Sequence, residues 1–275
     1  MPQVNPNPSF PKISIITIVR NGQQFIEQTI KSVLKQSYVN IEYIVIDGGS
    51  TDGTVDVIKS LESRITKWVS EKDEGIADAF NKGLSHATGD YVLFLNADDA
   101  LIDPDVVTRA VQEIIEHHWP MLIYGDFDLL NRDSGEVVYR GRVMLTRRGM
   151  LRGQILPHPC LFTHRSYFEK YGIFDTSFRI SMDYEWLFRG GLEEEIVHMP
   201  MLVSNIRGGG ISTQDQARVV NEIIRALQKN GHYSSVWAGT ALRSYFAARA
   251  LFRVALTRLG LYRLFFNFRN RLKNG

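Results

Sequence analysis

The stretch Phe94-Leu95-Asn96-Ala97-Asp98-Asp99 (FLNADD) decides how the rest of the chain is read, because an apolar run of strand length ends there on two adjacent acids. Neighbouring carboxylates repel unless a proton or a cation lies between them, and a hard divalent ion with oxygen ligands is the usual remedy. Acids that follow a strand also cap helices. Here Asp103-Pro104 is expected to supply the cap, with proline at the first helical position, which leaves Asp98 and Asp99 for ligand chemistry.

Outward from this point the same pattern repeats. Lys12 to Val19 (KISIITIV) is a nearly continuous apolar run followed by the turn Arg20-Asn21-Gly22. Phe25, Ile26, Ile30, Val33 and Leu34 then recur at helical spacing. Ile41 to Ile46 (IEYIVI) is a second strand ending at Asp47-Gly48-Gly49, after which Ser50 and Asp52 are expected to cap a helix through Leu61. Ile65 to Val69 reads as a third strand, Ile76 to Ala87 as a helix and Tyr91 to Leu95 as a fourth strand. Farther on, Met121 to Phe127 and Val137 to Arg142 read as strands joined by a polar hairpin turn at Asn131 to Glu136.

Strands alternating with helices predict an α/β fold with a mostly parallel central sheet and helices on both faces. Such sheets bind ligands beyond the carboxyl ends of their strands, where the connections change direction. Thr17, Asn21, Asp47, Glu71, Asp73, Glu74, Asn96, Asp98 and Asp99 all gather at that edge. Neither GxGxxG nor GxxxxGK[ST] follows the first strand, which argues against ordinary dinucleotide binding and against a P-loop.

With 275 residues, 44% of them hydrophobic and 11% aromatic, the chain has material for one substantial core and a small appendage. A single cysteine, Cys160, precludes an intrachain disulfide and fits a reducing compartment as a small core residue. The opening MPQVNPNPSF lacks a basic start followed by an apolar run, so no signal peptide is expected and the body is assigned to the cytoplasm. Net charge is +2, unevenly spread: Ala241 to Gly275 holds eight basic residues and no acid, and removing those 8 from 32 leaves 24 against 30 acids, about −6 for the body. Residues 231–275 therefore read as a basic, amphipathic helical extension, too rich in arginine for a membrane span. It either covers the body or lies on an anionic membrane, which would hold the protein peripherally at the inner face of the cell membrane. The negative body argues against a nucleic-acid footprint.

IDGGSTDGT at Ile46 to Thr54, SEKDEGIADAFNKG at Ser70 to Gly83, FLNADD, SMDYEWLFR at Ser181 to Arg189 and GGGIST at Gly208 to Thr213 occur in that order. Together these strings resemble the family 2 glycosyltransferases of the GT-A fold, nearest to bacterial enzymes of exopolysaccharide and lipopolysaccharide assembly. The resemblance reaches to about residue 215 and implies a transferase domain at 1–230, with a nucleotide-sugar half at 11–100 and an acceptor and catalytic half at 101–230. It implies a nucleotide-sugar donor, a UDP-sugar by family frequency, and a saccharide or lipid-linked acceptor. It implies that Asp47 contacts the base, that Thr17 lines the same pocket, and that the segment around Asp78 and Asn81 closes over base and ribose. Asn21, Gly49 and Ala97 complete that side. The family's Asp-x-Asp reads Asn96-Ala97-Asp98 here, so Asp98 is the expected ligand of Mn²⁺ or Mg²⁺, with Asp99 a direct or outer partner and Asn96 left to a ribose hydroxyl.

Transfer to a hydroxyl needs a base opposite the leaving diphosphate, and one carboxylate with no enzyme nucleophile implies inversion. Asp183 stands at the family's catalytic position, at the start of a helix that Ser181 could cap; Glu185 is the alternative. His158, held between Pro157 and Pro159, could touch acceptor or phosphate or be structural. Arg207, before Gly208-Gly209-Gly210, could meet the diphosphate in a lid ordered by donor. The rival readings are a non-catalytic nucleotide-binding scaffold, needing Asp47 and Asp98 but not Asp183, and a nucleotidyltransferase, whose phosphate loop is missing after the first strand.

Overall fold

The structure, a computed structural model, describes residues 10–142, 144–190, 193–232, 239–248 and 252. Its first half runs β1 (Ile13–Val19), α1 (Ile26–Leu34), β2 (Ile41–Asp47), α2 (Thr54–Leu61), β3 (Lys67–Ser70), α3 (Ile76–His86) and β4 (Tyr91–Asn96). The second half continues with β5 (Ala100–Leu101), α4 (Val106–Glu116), β6 (Leu122–Leu130), β7 (Val137–Gly141), α5 (Arg147–Met150), β8 (Leu161–His164), α6 (Arg165–Tyr171), α7 (Met182–Gly190), β9 (Ile196–Arg207), α8 (Ile211–Gln214) and α9 (Gln216–Lys229).

All described strands join one sheet in the order β3-β2-β1-β4-β8-β6-β9-β5, with β7 paired to β6. The pairings make β1, β2, β3, β4, β6 and β9 point one way and β5, β7 and β8 the other. The sheet is therefore mostly parallel, as the alternation of strands and helices predicted. Three strands were not foreseen: β5 is only two residues long, β8 only four, and β9 carries Pro200 where its register with β6 shifts. A proline that cannot donate to a ladder is tolerated at such an irregularity.

Alternate residues of the central strands feed two cores. Ile13, Ile15, Val45, Leu93 and Leu95 pack with Ile26, Ile30, Ile58 and Ile114 on one face. Ile16, Ile44, Ile46, Val92 and Phe94 pack with Phe80, Phe168, Phe174 and Trp186 on the other. Fully burying one such side chain contributes roughly 1.5–3 kcal/mol, so the strand ends between these layers form a rigid platform. From β1 the chain winds outward through β2 to β3, then returns to β4 on the opposite side of β1. The carboxyl ends of β1 and β4 thus flank the switch point.

Some helix starts differ from expectation. Pro104 lies in a turn before α4; Asp103 Oδ1 accepts from the Asp105 N–H at 2.9 Å, and Asp105 occupies the N-cap position. At α2 that position belongs to Gly53, with φ of +93°, while Asp52 accepts from the Thr54 N–H just inside the helix. Residues 239–248 are helical, with Leu242 buried and Phe246 packed against the same core as α9. The rest of the expected basic extension, 233–238, 249–251 and 253–275, lies outside the described residues. Among the described residues no helix is long and apolar enough to cross a membrane.

Candidate active site

Two cavities open at the switch point and meet at Asn96, Asp98 and Gly210. The first, about 530 Å³, is lined by Arg20, Asn21, Phe25, Asp73, Ile76, Ala97 and Arg132 in addition to the shared residues. The second, about 340 Å³, carries Asp99, His158, Ser181, Asp183, Tyr184 and Arg207. Both have the size of small-molecule sites. Asn21, Asn96, Ala97, Asp98, Asp99, His158, Asp183 and Arg207 are therefore brought together by five segments distant in sequence.

Thr17, Asp47, Gly49, Asp78 and Asn81 line neither cavity. Thr17 is fully buried and its Oγ1 accepts from the Tyr43 hydroxyl at 3.1 Å. Asp47 is also fully buried; its carboxylate accepts from the Gly49 and Ser50 N–H groups and from the Ser50 and Ser70 hydroxyls. Its role in the structure is to tie down the loop after β2. That loop approaches Asp73 so closely that a Cβ on Gly48 would come within 1.9 Å of Asp73 Oδ2, so any larger residue there requires the Asp73 side chain to move. Gly49 sits exposed at the bend of the same loop. Asp78 accepts from the Glu74 N–H and pairs with Lys82. Asn81 is a clamp: its amide donates to Phe174 O at 2.9 Å and its Oδ1 accepts from Phe174 N at 3.0 Å.

Asn21 adopts φ of +52°, a conformation asparagine tolerates, and its Oδ1 accepts from the Thr51 N–H at 2.9 Å. This couples the turn after β1 to the loop after β2.

The two acids that end β4 differ sharply. Asp98 is a quarter exposed and its Oδ2 accepts from Arg132 Nη1 at 2.9 Å. Asp99 is buried; Oδ1 accepts from the Arg207 N–H at 3.1 Å, and Oδ2 has no hydrogen-bond partner among the described residues. Burial, with the charge of Asp98 beside it, pushes the Asp99 carboxyl up to about 7. The repulsion between the pair is thus relieved by a guanidinium on one acid and a main-chain donor with a raised proton affinity on the other. Among the described residues no three His, Cys, Asp or Glu side chains assemble as a metal-ligand group. Asp98 alone fits an oxygen-seeking ion, of the kind that takes one carboxylate and the phosphates of its substrate.

Arg132 and Phe25 carry no motif and were not anticipated. Arg132 lies in the hairpin between β6 and β7, closed by Asn131 N–H to Glu136 O. Its guanidinium carbon lies 5.1 Å from the Phe25 ring centre, and that of Arg207 lies 4.5 Å from the same ring.

At the second cavity, α7 presents Asp183, whose Oδ1 accepts from the Tyr184 N–H and whose Oδ2 lies 3.4 Å from His158 Nδ1. His158 Nε2 is buried without a hydrogen-bond partner among the described residues, and the ring packs edge-on to Phe80. Glu185, the alternative base, is fully buried, paired with Arg189 and Lys229, and lines neither cavity. The start of α7 is held by Glu222 of α9, another residue without a motif. Glu222 Oε1 accepts from Arg179 N at 2.9 Å, and Oε2 from Ile180 N at 2.9 Å and Ser181 N at 2.8 Å. The carboxylate thus caps the entry to the helix, where Ser181 was expected to do so.

A polar crevice at the switch point, joined to a second cavity with a poised carboxylate, is the arrangement of a GT-A glycosyltransferase. The fold agrees with solved structures. Staphylococcus aureus TarS 1-349 in complex with UDP-GlcNAc superposes with a TM-score of 0.61 at 17% identity, covering 78% of this chain and 66% of that chain, just under two thirds of it. The mannosyltransferase PcManGT from Pyrobaculum calidifontis, in complex with GDP-Man and Mn²⁺, gives a TM-score of 0.60 at 18% identity over 94% of this chain and 84% of that one. An uncharacterized glycosyltransferase of Mycobacterium tuberculosis (strain CDC 1551 / Oshkosh) is 35% identical over 77% of this chain and 81% of its own length. A PGL/p-HBAD biosynthesis glycosyltransferase of Mycobacterium bovis (strain BCG / Pasteur 1173P2) is 30% identical over 65% of this chain and 69% of its own length. The profile of Glycosyl transferase family 2 matches residues 14–172. The chain belongs to glycosyl transferase family 2 and is a glycosyltransferase.

Proposed function

We propose that this transferase moves a sugar from a nucleoside diphosphate sugar, with uridine as the base, to a hydroxyl of a saccharide or lipid-linked acceptor, with inversion. The observation that carries the reading is the junction of the two cavities at Asn96 and Asp98, with Asp183 on the wall of the second. A donor in the first cavity would lay its diphosphate beside Asp98 and its anomeric carbon at the junction. An acceptor hydroxyl entering from the second cavity then meets that carbon from the side of Asp183. Its proton passes to the Asp183 carboxylate as the new C–O bond forms, the bond to the β-phosphate oxygen breaks, and the nucleoside diphosphate departs. One base and one displacement invert the anomeric centre, as in inverting glycoside hydrolysis with the acceptor replacing water.

Asp98 would hold the Mn²⁺ or Mg²⁺, whose charge favours departure of the diphosphate. His158, 3.4 Å from Asp183, orients that carboxylate. The uridine assignment is supported by the staphylococcal complex with UDP-GlcNAc, and use of a divalent ion by the archaeal complex with Mn²⁺. A relative named for PGL/p-HBAD biosynthesis supports a part in glycoconjugate assembly. The basic stretch from Ala241 onward would keep the enzyme at the cytoplasmic face of an anionic membrane, beside a lipid-linked acceptor.

The test is nucleoside diphosphate release, measured over a panel of nucleotide sugars with Mn²⁺ and with saccharide or lipid-linked acceptors. Release that requires acceptor and falls about 10²- to 10⁴-fold in Asp183→Asn, with nucleotide binding retained, is the expected result. Near-normal turnover in a folded Asp183→Asn protein would exclude this mechanism.

A further inference from the structure

Two guanidiniums meet over a single aromatic ring, Phe25, which lines the first cavity together with Arg132 while Arg207 lines the second. Arg132 and Arg207 both lie over Phe25, at 5.1 and 4.5 Å, and Arg207 Nη1 donates to the main-chain oxygen of Arg132 at 3.1 Å. One carboxylate, Asp98, serves the pair, through Arg132 alone. Among the described residues Arg207 finds only neutral acceptors, the Arg132 carbonyl and Gln28 Oε1, and its buried Nε has no partner there. Like charges held this close, with one counter-charge between them, form a site that attracts an anion carrying more than one negative charge. A guanidinium is suited to such an anion because its planar fork matches two oxygens at once.

Arg132 has a second property. The oxygen of Asp98 that it occupies belongs to the carboxylate that a divalent ion would need, so guanidinium and metal compete for one group. Arg132 is two-fifths exposed at the tip of a hairpin, and among the described residues its guanidinium is held, besides Asp98, by the Gly208 carbonyl at 3.3 Å and the face of Phe25, contacts weak enough to let it turn into the cavity it lines.

We propose that Arg132 is a diphosphate-binding residue that exchanges Asp98 for the donor's phosphates, with Arg207 as the second guanidinium of the site. This rests on the reading of the first cavity as the donor site. Two consequences follow. Nucleoside diphosphate binds without a divalent ion, because a guanidinium pair meets its charge. Asp98 becomes free to hold a divalent ion only as Arg132 leaves it, so donor precedes metal.

The experiment uses the full chain and Arg132→Gln and Arg132→Lys, with circular dichroism and melting temperature as controls for folding. Titration calorimetry with UDP, GDP, ADP, CDP and dTDP in EDTA, and again with Mn²⁺, reads nucleotide affinity. The Mn²⁺ electron spin resonance signal reads metal binding without nucleotide. In EDTA the wild type is expected to bind at least one nucleoside diphosphate within about threefold of its affinity with Mn²⁺. Arg132→Gln should bind that nucleotide about tenfold or more weakly in EDTA, the size of losing a charge-assisted bond, with Arg132→Lys between the two. Without nucleotide both proteins should leave Mn²⁺ free, because Asp98 offers one carboxylate alone, and the signal of the wild type should fall only as nucleoside diphosphate is added. Equal nucleotide affinity of wild type and Arg132→Gln in EDTA overturns the proposal. Binding by the wild type only with Mn²⁺ also overturns it, while leaving the donor reading intact. Failure of every nucleotide to bind with or without Mn²⁺ removes the donor reading and this inference with it.

Discussion

Replacing Glu222 with glutamine tests how the acceptor side of the site is held in place. The buried carboxylate of α9 accepts from three consecutive main-chain N–H groups, those of Arg179, Ile180 and Ser181, at 2.8 to 2.9 Å. Glutamine offers one oxygen where glutamate offers two. Placed at Oε2, that oxygen keeps Ile180 and Ser181 as neutral bonds, while the new NH₂ group faces the Arg179 N–H. One bond is lost outright and two lose their charge assistance, a cost of about 2–3 kcal/mol. For a chain of this size that lowers the melting temperature by roughly 4–10 °C. Asp183 lies two residues beyond Ser181, so turnover should fall at least about tenfold through misplacement of the base. Nucleotide affinity should hold, since Glu222 touches no wall of the first cavity. Urea denaturation, nucleoside diphosphate release and nucleotide calorimetry on the same preparation read all three quantities. A melting temperature within 1 °C of wild type with unchanged turnover, or a loss of nucleotide affinity equal to the loss of turnover, would refute the reasoning.

Asn81→Ala should cost about 2 kcal/mol, because both of its amide groups bond the Phe174 main chain, yet leave nucleotide affinity unchanged; a selective loss of affinity in thermal-shift titrations would return Asn81 to the donor site. Glu42 is a probe of acid stability. Burial alone would raise its pKa, but bonds from Ser14, Thr88 and Lys12 hold the carboxyl down at about 2. Its stabilising effect is therefore complete above the ordinary glutamate range and is lost as pH falls through about 2. Glu42→Gln should be the less stable protein at pH 7, with the gap closing between about pH 4.5 and 2 in chemical denaturation; a gap constant over that range would contradict the assignment.

The parts of this molecule that are legible in its sequence are those where a local pattern and a global role coincide. β1, β2 and β4 are continuous apolar runs because both faces of the sheet are covered, and Asn96 to Asp99 stand out because acids ending a buried strand are costly. Asp183 and His158 were legible through flanking motif and prolines, and the structure brings them within 3.4 Å. Arg132 was hidden because an arginine in a polar hairpin looks like any solvated turn residue; only the fold carries it to Asp98, 34 positions away in sequence. Glu222 was hidden for the converse reason, since a glutamate in an amphipathic helix reads as surface until α9 is seen to pack on the start of α7. Thr17 and Asp47 are polar at the carboxyl edge of the sheet, as their strands predicted, and in the structure they and Asn81 also make hydrogen bonds within the protein that no local pattern announces.

The central claim is that one nucleotide sugar spans the first cavity and presents its anomeric carbon at the junction, facing Asp183. A crystal structure of the protein with a nucleotide sugar that it binds in calorimetry, grown with Mn²⁺, tests this most directly. The account predicts the diphosphate between Asp98 and Arg132 and the sugar turned toward the Asp183 carboxylate across a gap that one hydroxyl can fill. A donor seated away from Asp98, or a sugar pointing out of the junction with Asp183 behind a wall of side chains, would contradict it.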